Sequence, residues 1–288
     1  MENIYYKSNE VSNLRKYISD IVKDNIEYFS LESSRCSLPI NSTLYRHKNY
    51  ELEEFEIDTM ELSKAYHKPV GSYSLLTIKD PMDIDNRLLN EYIKAISVLL
   101  AKFIGEIKKS SKYLIVGLGN QEIQADSLGN LVCKNVLVTR HLKKEPAFKD
   151  TPSISAITPS VMGLTGIESS DIINSIVKEI RPDCIIVIDS LCASSIARLG
   201  KSIQITNAGI FPGAGINNKR KPLNKEILGC KVVAIGVPLM IYASSFANNN
   251  EIDENLIVTF NNINEVVNIL SEIIYKAINL TFLGFKNL

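Results

Sequence analysis

From Asp83 to Ile107 apolar side chains recur at Leu88, Leu89, Tyr92, Ile93, Ile96, Leu99, Leu100, Phe103, Ile104 and Ile107. That three-and-four spacing predicts one long amphipathic helix packed on something flat. A second stripe at Ile263, Val266, Val267, Leu270, Ile273, Ile274, Ala277 and Ile278 predicts a closing helix. Between these helices, short runs rich in Val and Ile recur at Tyr113–Val116, Ser153–Ile157, Cys184–Ile188 and Lys231–Ile235, separated by helical or polar stretches. Unbroken apolar strands separated by helices predict a mostly parallel sheet covered on both faces. The helix Glu168–Ile180 is well marked, with Thr165 or Ser169 as cap and Pro182 as stop.

The earlier part of the chain reads differently. Tyr50–Ile57 alternates with one slip between Leu52 and Phe55, which predicts a strand with a bulge. A short helix over Thr59–Tyr66 and a strand over Tyr73–Ile78, separated by Pro69 and Gly71, complete a small β-rich unit. Residues 1–40 are polar and mixed, loosely helical at best. The expected organisation is therefore an N-terminal segment over 1–41, a candidate propeptide, then a small β-rich subdomain over 42–80 and an α/β core over 81–288. The expected fold class is an α/β three-layer sandwich with a mostly parallel sheet.

Length and composition narrow the function classes. A chain of 288 residues can bury a sizeable core. Its 32 basic and 32 acidic side chains cancel, so nothing global steers it to nucleic acid or to an anionic membrane. The opening MENIYYKSNE lacks a signal pattern, and no uninterrupted apolar run approaches the roughly 20 residues that span a bilayer. A cytoplasmic protein with neither a membrane nor a nucleic acid partner is expected. Cys36, Cys133, Cys184, Cys192 and Cys230 are odd in number and form no CxxC pair, so no disulfide framework or zinc site is indicated. No His/Asp/Glu cluster has ligand spacing, so neither metal nor cofactor is expected.

Candidate chemistry gathers where strands end, since functional groups of open α/β sheets collect at the carboxyl edge. Asp126 lies in Gly117-Leu-Gly-Asn-Gln-Glu-Ile-Gln-Ala-Asp126, after the first of the four strands, and Asp189 directly follows Cys184–Ile188. Each is also a candidate cap for the structure after it. If the two carboxylates converge and share a proton, one can deprotonate a water while the other protonates a leaving nitrogen, which suits amide hydrolysis. A nucleotide loop is the competing reading of the glycines. It fails because Glu122 stands at the third glycine position and no Gly-Lys-Ser/Thr follows. Gly119 and Asn120, Gly163, Thr165 and Gly166, and Gly213 and Gly215 are candidates for holding a substrate main chain or an oxyanion through backbone N–H groups; tight connections are the plain alternative. Asn218-Lys-Arg-Lys221 is a solvated face or an attractor of an acidic peptide. A Cys192–His141 nucleophile pair is weaker than an ordinary buried Cys192.

The strings Val116-Gly-Leu-Gly-Asn120, Ala125-Asp-Ser-Leu-Gly129 and Leu137-Val-Thr-Arg-His-Leu142 resemble the germination protease family of spore-forming bacteria. So do Val161-Met-Gly-Leu-Thr-Gly-Ile-Glu-Ser-Ser-Asp-Ile172, Ile188-Asp-Ser-Leu191, Gly209-Ile-Phe-Pro-Gly213, Asn218–Lys221 and Ala234-Ile-Gly-Val-Pro238. Their order and spacing match across roughly Tyr113 to Pro238. The resemblance implies an endopeptidase with a hydrogenase-maturation-protease-like α/β core, acting on small acid-soluble spore proteins in the forespore or spore core. It places the family's two essential aspartates on Asp126 and Asp189, and implies an inactive precursor and a homotetramer. The chain departs from the family pattern at Ser194, where Arg is usual, at Phe211, where His is usual, and at Asn207, where Asp is usual. No precursor-cleavage motif stands in residues 1–40, and the segment before the closing helix is shortened to about Ile241–Thr259. Two other functions remain open: a weak or inactive relative that binds peptides or sporulation proteins, and processing of a different protein with metal recognition by the carboxylates.

Overall fold

The first helix, α1 (Val22–Glu32), leads into three antiparallel strands, β1 (Asn41–Arg46), β2 (Glu51–Ile57) and β3 (Gly71–Thr77), with α2 (Met60–Tyr66) between the last two. Helix α3 (Asn86–Ile104) precedes β4 (Lys112–Gly117) and α4 (Leu128–Asn135). Then come β5 (Ser153–Ile157), α5 (Met162–Thr165), α6 (Ser169–Ile180), β6 (Cys184–Ala193) and β7 (Ser202–Thr206). The chain continues through α7 (Lys225–Leu228), β8 (Lys231–Tyr242), β9 (Ile257–Val258) and α8 (Ile263–Leu283). The structure is a computed structural model, and it describes residues 19–32, 38–211, 221–245 and 256–284.

All these strands join one sheet in the order β1-β2-β3-β7-β8-β6-β4-β5, with β9 added to β8. Strands β8, β6, β4 and β5 are mutually parallel and are the four runs that the apolar pattern marks. Strand β7 pairs antiparallel with both β8 and β3, so the region expected as a β-rich subdomain continues the same sheet. The fold is the expected three-layer α/β arrangement. On one face α3, α4 and α8 pack on Ile115, Ile186, Ile188, Ile203 and Ile235. On the other, α6 and α7 cover Leu114, Val116, Ile185, Val187 and Val232, while α1 and α2 cover Phe55, Ile57, Tyr73, Leu75 and Leu191. Each fully buried Ile or Leu in these layers contributes about 1.5–3 kcal/mol relative to exposure.

Local chemistry explains several boundaries. Thr59 Oγ1 accepts from Leu62 N at 3.2 Å and starts α2, and Asp85 Oδ1 accepts from Leu88 N at 2.8 Å and starts α3. The bulge expected in β2 is absent, because its register is continuous with both neighbours. The slip in the pattern arises because Leu52 packs under α3 whereas Phe55 and Ile57 face α1 and α2. Neither Thr165 nor Ser169 caps α6, whose N-cap is Glu168 without a side-chain bond. Residues expected to be loosely helical include α1, a regular helix of 11 residues. Helix α8, at 21 residues and mean hydropathy 1.4, is long and apolar enough to cross a membrane, but 61% of that window is buried within the protein.

Candidate active site

Strands β4 and β6 run side by side until Gly117 meets Ile188, and Leu118 N donates to Ile188 O at 2.8 Å. There β4 stops. Strand β6 continues to Ala193 beside β8, so Asp189 does not end its strand; it is the first residue past the end of β4. Only 6% of Asp189 is exposed, its partner across β8 is Gly236, and its Oδ1 accepts from Ser190 N at 3.0 Å. Alternation along the strand decides which way it faces. Ile185 and Val187 pack under α6, and Leu191 packs under α1 and α2. Asp189 shares their face and so lies at the seam between these two groups of helices.

Asp126 reaches the same edge from β4. After Leu118 the chain turns at Gly119 with φ +102°, and a Cβ there would stand 1.9 Å from the Asp126 carbonyl oxygen. Only glycine permits this contact. Asn120 N donates to Asp126 Oδ2 at 2.8 Å, and Asn120 Oδ1 accepts from Glu122 N at 3.0 Å. An N–H that a phosphate loop would offer to its ligand is here donated to the chain's own carboxylate. Asp126 does not cap α4, whose N-cap is Ser127. Three residues beyond Asp126, a Cβ on Gly129 would lie 2.5 Å from Leu118 O and 2.7 Å from Ile188 O. The first turn of α4 is thus seated directly on the ends of β4 and β6, which holds Asp126 above the edge where Asp189 stands.

The remaining candidates divide. Gly119 and Asn120 touch Asp126. Gly163, Thr165 and Gly166 lie together on the exposed loop after β5, where Gly166 closes α5 with φ +70° and a Cβ on Gly163 would meet nothing. Thr165 Oγ1 serves its own loop, donating to Val161 O at 3.2 Å and accepting from Ile167 N at 3.2 Å. Gly213 and Gly215 lie outside the described residues, as do residues 218–220 of the basic cluster; Lys221 pairs with Asp171 at 2.8 Å. Burial, and secondarily the charge of Asp20, pushes the Cys192 thiol well above the usual cysteine range, the opposite of what a thiolate nucleophile requires. Among the described residues no three His, Cys, Asp or Glu side chains are grouped to hold a metal ion.

A polar cluster that no sequence motif signals lies farther along β6, at Cys192 and Ser194. Asp20 Oδ2 accepts from Cys192 N at 2.9 Å, and Asp24 Oδ2 accepts from Ser194 N and Ser19 Oγ, each at 2.8 Å. The buried Arg198 guanidinium pairs with Asp24 and Glu27. Lys68 Nζ donates to Ser19 O at 2.6 Å; burial lowers Lys68 to about 8, with Asp20 and Asp24 opposing the shift. At the departure positions, Ser194 offers its amide to Asp24, and Asn207 Oδ1 accepts from Ser72 N at 2.8 Å. Around the edge, Ile123, Met162, Leu164, Ile167 and Ile196 are each 44–59% exposed on the loops after β4, β5 and β6.

The chain is similar to known germination proteases. One from Bacillus cytotoxicus is 44% identical over 192 residues, covering 65% of this chain and 52% of that protein. One from Clostridium perfringens is 34% identical over 232 residues, covering 78% and 71%. The chain therefore spans about half the length of the Bacillus relative. Among solved structures, a NiFe hydrogenase maturation protease from Thermococcus kodakarensis aligns with a TM-score of 0.36 and 19% identity, over 62% of this chain and 97% of that one. The germination protease family model matches residues 39–256, a stretch that holds both aspartates and every strand from β1 to β8, and the chain belongs to that family.

Proposed function

We propose that this chain is an endopeptidase that hydrolyses small acid-soluble spore proteins, with Asp126 and Asp189 activating water. The observation that carries the reading is their placement: two carboxylates at the sheet edge where β4 stops, one buried within β6 just past that stop and one held over the same edge by Gly119 and Asn120. One carboxylate takes a proton from water as its oxygen attacks the scissile carbonyl. The other gives a proton to the leaving nitrogen as the C–N bond breaks. The exposed aliphatic side chains around that edge suit an unfolded peptide, whose apolar groups would otherwise meet water.

A second reading is peptide binding with little turnover. It is favoured by Ser194, where the family's usual Arg is replaced by a residue whose amide is already engaged by Asp24. Incubating the purified protein with acid-soluble spore proteins separates the two. Cleavage that disappears in both Asp126→Asn and Asp189→Asn supports the peptidase; retained binding with no cleavage in any form supports the second reading.

A further inference from the structure

The two lateral edges of the sheet are finished differently. At the β5 edge the backbone is already occupied: Thr139 N donates to Ile154 O and Ile154 N donates to Thr139 Oγ1, each at 3.0 Å, and Pro152 leads into the strand. At the other edge β1 has β2 on one side, and among the described residues no strand pairs with its outer side. All six of its residues are exposed, Leu44 at 42% and Tyr45 at 53%. The strand lacks the devices that blunt an open edge. Asn41-Ser-Thr-Leu-Tyr-Arg46 contains no proline and no lysine, and its register with β2 has no bulge.

Which backbone groups are open follows from the pairing. His47 N donates to Tyr50 O at 2.9 Å across the hairpin turn, and the bonded pairs of an antiparallel ladder recur at every second residue. Asn41, Thr43 and Tyr45 therefore bond β2, opposite Glu56, Glu54 and Leu52, and the N–H and C=O groups of Ser42, Leu44 and Arg46 point outward. Counting from the other side gives the same alternation, since Ser72 O of β3 faces β7 and accepts from Asn207 N at 3.4 Å. Side chains alternate too. Leu44 stands opposite Glu53, which pairs with Lys23 of α1, whereas Tyr45 stands opposite Leu52 on the face that α3 covers. On that face an open cleft between the hairpin and α3 is walled by Tyr50, Leu52, Val98 and Leu99, and Val98 is 69% exposed.

We propose that β1 is the surface through which two copies of this chain associate, pairing antiparallel about a two-fold axis at Leu44. The spacing of the open groups fits that occupant. Ser42, Leu44 and Arg46 are symmetric about Leu44, so Leu44 exchanges both backbone bonds with the partner's Leu44, Ser42 exchanges both with the partner's Arg46, and no outward group is left over. Thr43 then stands opposite the partner's Tyr45, a β-branched and aromatic pair that suits adjacent strands. Charge is compatible as well. Arg46, the one charged residue of the strand, meets a serine rather than another arginine and keeps its own Glu51 at 3.3 Å. An axis normal to the sheet leaves each face continuous, so both copies of α3 flank one trough over the paired strands, and Tyr45 and Val98 lie along it. Asp189 is on the fifth strand inward from β1, about 24 Å away, so the pairing is independent of the catalytic reading.

Sedimentation of the whole chain at micromolar concentration is the test. Wild type should sediment at twice the chain mass of 32.1 kDa or at a multiple of that dimer. Leu44→Arg sets two like charges face to face at the axis and should halve the observed mass. Leu44→Pro should do the same with an unchanged far-UV circular dichroism spectrum, because the N–H it removes points outward and the ladder to β2 stays whole. If Leu44→Pro fails to fold, Leu44→Arg decides, since that side chain already faces solvent. Disulfide trapping reads the register. Bonded pairs of an antiparallel ladder hold their Cα atoms about 5.5 Å apart, within disulfide reach. Mild oxidation should link Leu44→Cys chains into covalent dimers, whereas Ser42→Cys, which faces the partner's Arg46, should show no more linkage than wild type. Wild type at the mass of one chain overturns the proposal, and so does an oligomer whose mass neither Leu44 variant changes. Linkage through Ser42→Cys as efficient as through Leu44→Cys overturns the register.

Discussion

Asp126 and Asp189 are legible in the sequence because each follows an apolar run, and the ends of such runs are where an α/β sheet exposes its working edge. The bonds that position them are not legible. That Asn120 N donates to Asp126, six residues on, depends on a turn whose shape only the folded backbone reveals. Nor does the sequence show why Gly119 is required, since the obstacle is a carbonyl oxygen 1.9 Å from where its Cβ would stand. Gly119→Ala should therefore lose about 2 kcal/mol or more in urea unfolding, from strain in the left-handed region together with the backbone collision. Gly163→Ala should be close to neutral in the same measurement, because a Cβ there meets open space. Equal losses at the two glycines would contradict this account of the turn.

At the scale of elements, helix α1 shows how far a seemingly featureless segment can be tied down. Its partners are remote in sequence: Arg198 meets Asp24 across 174 positions, and Gln204 Oε1 accepts from Val22 N across 182. No local pattern encodes such pairs, which is why the stretch reads as loosely helical. The same distance hides β7, whose Gln204 looks too polar for a buried strand until α1 supplies its partners. Asp24→Ala should cost about 3–5 kcal/mol in chemical denaturation, because a buried guanidinium loses a partner, Ser194 N is stranded and Ser19 Oγ is left with Cys192 O alone. Truncation through Glu32 removes the partners of Cys192 N, Ser194 N, Arg198 and Gln204, so it should lower the unfolding midpoint sharply. Lys68 adds a pH dependence. Its folded-state value falls from 10.5 to about 8, so its contribution is fully present above 10.5 and is lost as pH drops through about 8. Relative to Lys68→Met, wild type should gain stability as pH rises from about 8 towards 10.5, and a flat difference would contradict it.

For the whole molecule, the parallel centre follows from four apolar runs, of which β4, β6 and β8 are buried on both faces and β5 closes the edge half-buried. The antiparallel half is different. Strand β3 finds β7 roughly 130 residues later, and the pairing turns what reads as a separate β unit into a continuation of one sheet. That continuation matters for function because it brings α1 and α2 onto the face that α6 covers farther along, and Asp189 lies where the two layers meet. The central claim is that Asp126 and Asp189 act as one unit at that seam. The most direct measurement is kcat/KM on acid-soluble spore protein for wild type, Asp126→Asn, Asp189→Asn and the double variant. Groups that share one reaction are non-additive, so the double variant should be no more than about threefold worse than the weaker single variant. Losses that multiply across the two positions, or a single variant that keeps wild-type kcat/KM, would contradict it.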